Sequence, residues 1–162
     1  MKPIDEDGLI LCKIQGRIFE QSLERVACSS PIFLRRFMFS EIASRMDRPG
    51  FLDTGISDNG IFEELSEEYP DTSYGKVKYS REEMYWIGYL YRYWSYTHET
   101  TSKHLYRIVK PQELREVYYP YHSLDPAQAI ERMIESKGIQ EEEYIARGKK
   151  IMKKIWQERG LI

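Results

Sequence analysis

Apolar positions along most of this chain recur with helical rather than alternating spacing. From Ser30 onward Leu34, Met38 and Ile42 come every fourth residue, and Phe33 and Phe37 widen the stripe. Arg35, Arg36, Glu41 and Arg45 fall mostly on the other side. This predicts one amphipathic helix ending near Asp47, before Pro49 and Gly50. Ser30 is its expected cap, with Pro31 at the first helical position. Upstream, the apolar run LILCKI at residues 9–14 predicts a short buried strand. A helix is expected over about 17–27. Downstream, residues 48–60 read as a loop. Asp58 is the expected cap of a short acidic helix with Ile61, Phe62 and Leu65 inward, followed by a turn at 71–75. Residues 76–79 read as a short strand or a linker.

The second half is punctuated more sharply. Ser80 followed by Glu83 forms a capping-box signature. The helix it opens, about 81–97, is apolar or aromatic almost all round, which predicts a central helix. Shorter helices are expected from Thr101 or Ser102 to Val109 and from Pro111 to about Tyr118. Asp125 and Pro126 start another, with Ala129, Ile130, Met133 and Ile134 as its inner face up to Gly138. A last helix is expected from near Gln140, with Glu141, Glu142 and Glu143 in its first turn and basic residues in its last, as the helix dipole favours. The expected fold is mainly α: a compact helical bundle with a short N-terminal strand and little other β structure.

Composition divides this bundle. Every Phe lies at or before Phe62, whereas eleven of the thirteen Tyr lie between Tyr74 and Tyr121. Residues 53–71 carry acids and no base, and residues 147–159 are strongly basic. The expected organisation is a strand-helix-helix module at 1–48, an acidic connector at 49–75, and a tyrosine-rich helical module with a basic C-terminal helix at 76–162. A net charge of −2 argues against a polycation that coats nucleic acid along its whole length. No apolar run approaches the roughly 20 residues of a membrane helix, and the acidic start MKPIDEDG lacks the features of a signal peptide. A cytoplasmic location without membrane association is expected.

Chemistry-bearing residues are sparse. Cys12 and Cys28 sit among apolar neighbours and read as buried free thiols. His98, His104 and His122 are scattered, so no metal site or cofactor is expected. Nothing marks a nucleophile with its base, and neither His122 nor Arg92 has a spaced catalytic partner. The tyrosines are the stronger signal. Tyr, Trp and Arg are the preferred anchors of protein interfaces, and Tyr85, Tyr89, Arg92, Tyr93, Tyr96, Tyr119 and Tyr121 are the expected partner-contact residues. The alternative is that such residues form a polar-tipped core. A separate reading concerns residues 1–48, whose strand, helix, serine turn and arginine-bearing helix are similar in order to a ribbon-helix-helix DNA-binding dimer. It would use Lys13, Arg35 and Arg36, and it implies a homodimer on operator DNA. LILCKI is unusually apolar for a strand that reads bases.

Three segments together, residues 29–47, 79–111 and 113–138, resemble a family of small bacterial antitoxins of toxin–antitoxin pairs. The most distinctive blocks are Tyr85-Trp86-Ile87-Gly88-Tyr89 through Tyr93, and Pro120-Tyr121-His122-Ser123-Leu124-Asp125. The resemblance implies a protein without catalysis of its own that binds and neutralises a cognate toxin encoded beside it, and it extends to toxins of an ADP-ribosyltransferase-like kind. Autorepression through the N-terminal module is the accompanying expectation.

Overall fold

The structure, a computed structural model, describes residues 1–138 and 152–160. It is mainly α. Within residues 1–138 eight α-helices follow in order: α1 (Glu6–Arg25), α2 (Ser30–Met38), α3 (Glu41–Met46), α4 (Asp58–Glu68), α5 (Arg81–Thr97), α6 (Ser102–Ile108), α7 (Pro111–Tyr121) and α8 (Pro126–Lys137). A 3-10 turn at Phe51–Thr54 separates α3 from α4. Residues 152–158 are helical as well. The expected start of that last helix near Gln140 lies outside the described residues.

The expected N-terminal strand is not present: residues 9–14 lie inside α1. The cause is visible at its start. Asp5 caps the helix by accepting the Gly8 amide N–H at 2.8 Å, and Glu6 and Asp7 place negative charge in the first turn. From there Gly8, Leu11, Cys12, Gln15, Gly16, Phe19 and Ser22 share one buried face at helical spacing. Ile10, in the middle of the supposed strand, is instead 39% exposed.

Other boundaries differ for equally local reasons. The single helix expected over 30–47 is two. The Ser40 hydroxyl donates to the Phe37 carbonyl at 2.6 Å, and its oxygen accepts the Ala43 amide N–H at 3.1 Å, so one residue closes α2 and caps α3. Ser29, not Ser30, caps α2, and Ser57, not Asp58, caps α4. Residues 76–79 are a linker without ladder pairing, laid against the start of α2: the Ser30 amide donates to the Val77 carbonyl at 2.9 Å. At α5 the expected capping box is formed, with Ser80 Oγ accepting from the Glu83 amide at 3.1 Å and Glu83 Oε1 accepting from the Ser80 amide at 2.9 Å.

α5 is the axis of the molecule. It packs along α1 more extensively than any other pair of elements pack, and also contacts α6, α7 and α8. Met84, Ile87, Leu90, Tyr91 and Trp94 are fully buried on it. One hydrophobic cluster runs from Leu11 through Phe62 and Trp94 to Ile134, drawing on residues of all three compositional segments. The closest approach of α1 and α5 is at Gly88. A Cβ there would stand 2.7 Å from the Gln15 carbonyl oxygen and 2.8 Å from the Phe19 ring. A backbone oxygen cannot swing away as a side chain would, so Gly88→Ala must separate the two helices. Overpacking of this kind costs about 1–3 kcal/mol. Chemical denaturation of Gly88→Ala should show a loss in that range, with the fold retained by circular dichroism.

Candidate partner-binding surface

Arg92, an expected contact residue, is 1% exposed. Its guanidinium is held inside the molecule. Nε donates to Gln15 Oε1 at 2.8 Å, Nη1 to Asp47 Oδ1 at 2.7 Å, and Nη2 to Ser102 Oγ at 3.0 Å. Each acceptor is itself fixed. Gln15 Nε2 donates to the Gly88 carbonyl at 3.0 Å, while Asp47 accepts the Ser102 amide at 2.9 Å and the Ser102 hydroxyl at 2.7 Å. The network ties α1, the end of α3, α5 and the start of α6 together. Arg92 therefore positions helices and offers no free group to a partner.

The tyrosines divide differently. Tyr85, Tyr89 and Tyr96 are half-buried along one side of α5, and Tyr93 beside them is buried. Tyr85 and Tyr89 lie 6.1 Å apart between ring centroids, and Tyr89 and Tyr93 stack at 6.4 Å. Glycines on α1 make room for this ladder. A Cβ at Gly16 would meet the Tyr85 ring at 2.9 Å, and one at Gly8 the Tyr96 ring at 2.6 Å. The Tyr96 hydroxyl donates to Asp5 Oδ1 at 2.6 Å, and Lys2 Nζ sits 4.0 Å above its ring. Burial, then the bond to Asp5, pushes the Tyr96 phenol up to about 12. Burial also pushes Tyr89 up to about 12. The Tyr96 hydroxyl in turn lowers the Asp5 carboxyl.

Around this ladder the structure adds residues not expected from sequence. Trp86 meets the Tyr118 ring edge-on at 5.6 Å, and Tyr118 stacks on His122 at 4.4 Å. Tyr119 is 84% exposed and Tyr121 is half-buried against the core. Residues 85–93 and 120–125, far apart in the chain, thus meet through α5 and the end of α7, with the Asp125 charge felt at Tyr89 and Tyr93. Half-buried rings with one wet edge are what an interface uses: large area with little conformational entropy to lose. Trp86 was legible in principle, because α5 is too aromatic to bury every ring; Tyr118, on α7, was not.

The residues of the DNA-binding reading do not form a strand-borne set. Lys13 is exposed on the outer side of α1. Arg35 lies over the Phe39 ring, 5.4 Å from its centroid, and Arg36 Nη2 donates to Thr72 Oγ1 at 2.8 Å. With residues 9–14 helical, the paired ribbon that would carry Lys13 into a groove has no counterpart here. Among the described residues no three His, Cys, Asp or Glu side chains are grouped to hold a metal, and no helix is long and apolar enough to cross a membrane.

Two outcomes follow from these contacts. Removing one member of a buried ion pair strands the other and costs about 3–5 kcal/mol. Arg92→Leu and Asp47→Leu should each show such a loss in urea denaturation, and the double variant should be less destabilised than the sum. The tyrosine ladder sets a pH window. A phenol whose folded value is raised contributes stability present below its unfolded value near 10 and lost as pH rises toward about 12. Asp5, with its value lowered, contributes stability present above 3.8 and lost on acidification. Tyr96→Phe should flatten the stability profile at both ends, read from denaturation midpoints across pH. Comparison with protein-family models, with curated proteins and with solved structures finds no match for this chain.

Proposed function

We propose that this protein is a cytoplasmic antitoxin-like binding protein, which masks a cognate protein toxin encoded beside it and carries out no reaction itself. The observation that supports this most directly is the aromatic surface on α5 and the end of α7. Tyr85, Trp86 and Tyr89 stand half-exposed there beside Tyr118, Tyr119 and Tyr121. The two blocks that carry the antitoxin resemblance, 85–93 and 120–125, meet on this surface. A neutralising protein needs area and anchors rather than a reaction centre, and such anchors concentrate the binding energy in a few Tyr, Trp and Arg side chains.

The contact set differs in two places from the one expected from sequence. Arg92 and Tyr93 belong to the interior, at 1% and 8% exposure, and support the surface from beneath. Tyr85, Tyr89, Tyr96, Tyr119 and Tyr121 remain as contact residues, with Trp86 and Tyr118 added. Tyr119 is the most informative of these, because nothing in the fold depends on a side chain so exposed.

The test is expression of the neighbouring gene alone and together with this chain, followed by co-purification. The neighbour should arrest growth alone, and the pair should yield a stable complex. Truncating a central interface anchor typically costs 2 kcal/mol or more, about thirtyfold in affinity. Tyr119→Ala should weaken the complex by roughly that factor while moving the melting temperature of the free protein little. A harmless neighbour, or one that does not bind, would remove this reading.

A further inference from the structure

A second feature lies away from the tyrosine surface, where the end of α1 faces α2 and α4. A cavity of about 230 Å³ opens there over Phe33, Phe37, Phe62 and Leu65. The three rings belong to one buried cluster: Phe33 stacks on Phe62 at 6.4 Å and lies 6.1 Å from Phe37. A dry cavity of about 150 Å³ is enough to admit benzene. This one has room for a single ring and a small substituent.

The substituent's charge is set by two arginines that line the same cavity. The Arg25 guanidinium stacks 4.3 Å over the Phe62 ring and donates through Nη1 to Asn59 Oδ1 at 2.7 Å. Arg36 donates through Nη2 to Thr72 Oγ1 at 2.8 Å. Both partners are neutral, and neither arginine forms an ion pair with a carboxylate among the described residues. Two acids also border the cavity, Glu63 and Asp71. Both Asp71 oxygens are engaged by the Ala27 amide N–H, at 3.0 Å each. At the Cys28 thiol in the cavity wall, the influence of Arg36 exceeds that of Asp71, and Lys78 adds to it. The wall is therefore apolar below, with two guanidinium groups at its edge whose hydrogen bonds among the described residues go to neutral partners, a geometry that suits a planar carboxylate.

We infer that this cavity binds a small aromatic carboxylate, with its ring on the phenylalanine cluster and its carboxylate between Arg25 and Arg36. The site is independent of the antitoxin reading, since none of its lining residues belongs to the tyrosine surface.

Calorimetric titration of the full chain with benzoate, benzamide and benzylamine tests it. Benzoate should bind, benzylamine should not, and benzoate should exceed its neutral analogue benzamide by at least about tenfold, the worth of a hydrogen bond made to a charged group. Arg36→Gln should reduce benzoate to the level of benzamide and leave benzamide unchanged, which separates loss of the anion contact from loss of the fold. In a Cys12→Ala background, saturating benzoate should also slow alkylation of Cys28. No binding of benzoate, equal binding of benzoate and benzamide, or an Arg36→Gln variant that keeps the preference would each overturn the inference.

Discussion

A guanidinium taken out of water must find its hydrogen bonds inside the protein, and the fold is arranged around that demand for Arg92. A buried ion is tolerated only when its charge is balanced and its donors are occupied. Asp47 supplies the opposite charge at 2.7 Å, while Gln15 and Ser102 occupy the other directions. These acceptors come from the end of α3, from α1 and from the start of α6. Satisfying one side chain of α5 therefore fixes where three other elements sit.

The second constraint is the close approach of α1 and α5. Gly88 lets the Gln15 backbone come near, and Gln15 then returns a side-chain hydrogen bond to the Gly88 carbonyl. Gly8 and Gly16 leave shallow seats on α1 that the Tyr96 and Tyr85 rings cover. The glycine spacing and the tyrosine ladder are thus one device. Rings that would have to project if α1 carried larger side chains lie half-buried against it. The interior polar network and the outer aromatic surface are two sides of the same helix.

Much of this was legible in the sequence where a local signal agreed with the long-range pattern. The capping box at Ser80, the Pro111 and Pro126 starts, and the inner face of α8 all stand as expected, because caps and periodicity act within a few residues. The N-terminal element was misread for a physical reason. LILCKI has the apolar run of a strand, yet the cap at Asp5 and the small residues Gly8, Cys12 and Gly16, each four apart, commit the segment to a helix lying on α5. Ser40 was hidden for the opposite reason: the stripe of Leu34, Met38 and Ile42 continues across it, so the break leaves no mark on the periodicity. Arg92 could not be placed from sequence at all. Whether an arginine on an aromatic helix faces water or the core depends on Asp47, 45 residues away.

The aromatic surface on α5 and the end of α7 is proposed as the binding face, and a partner's footprint on the molecule can be measured. Hydrogen–deuterium exchange on this protein, free and bound to the product of the neighbouring gene, would show which backbone amides the partner protects. New protection should be confined to α5, the end of α7 and the 122–125 turn, with α2 and α4 unchanged. Protection centred instead on α2 and the exposed side of α1, with residues 85–93 and 118–125 unaffected, would contradict it.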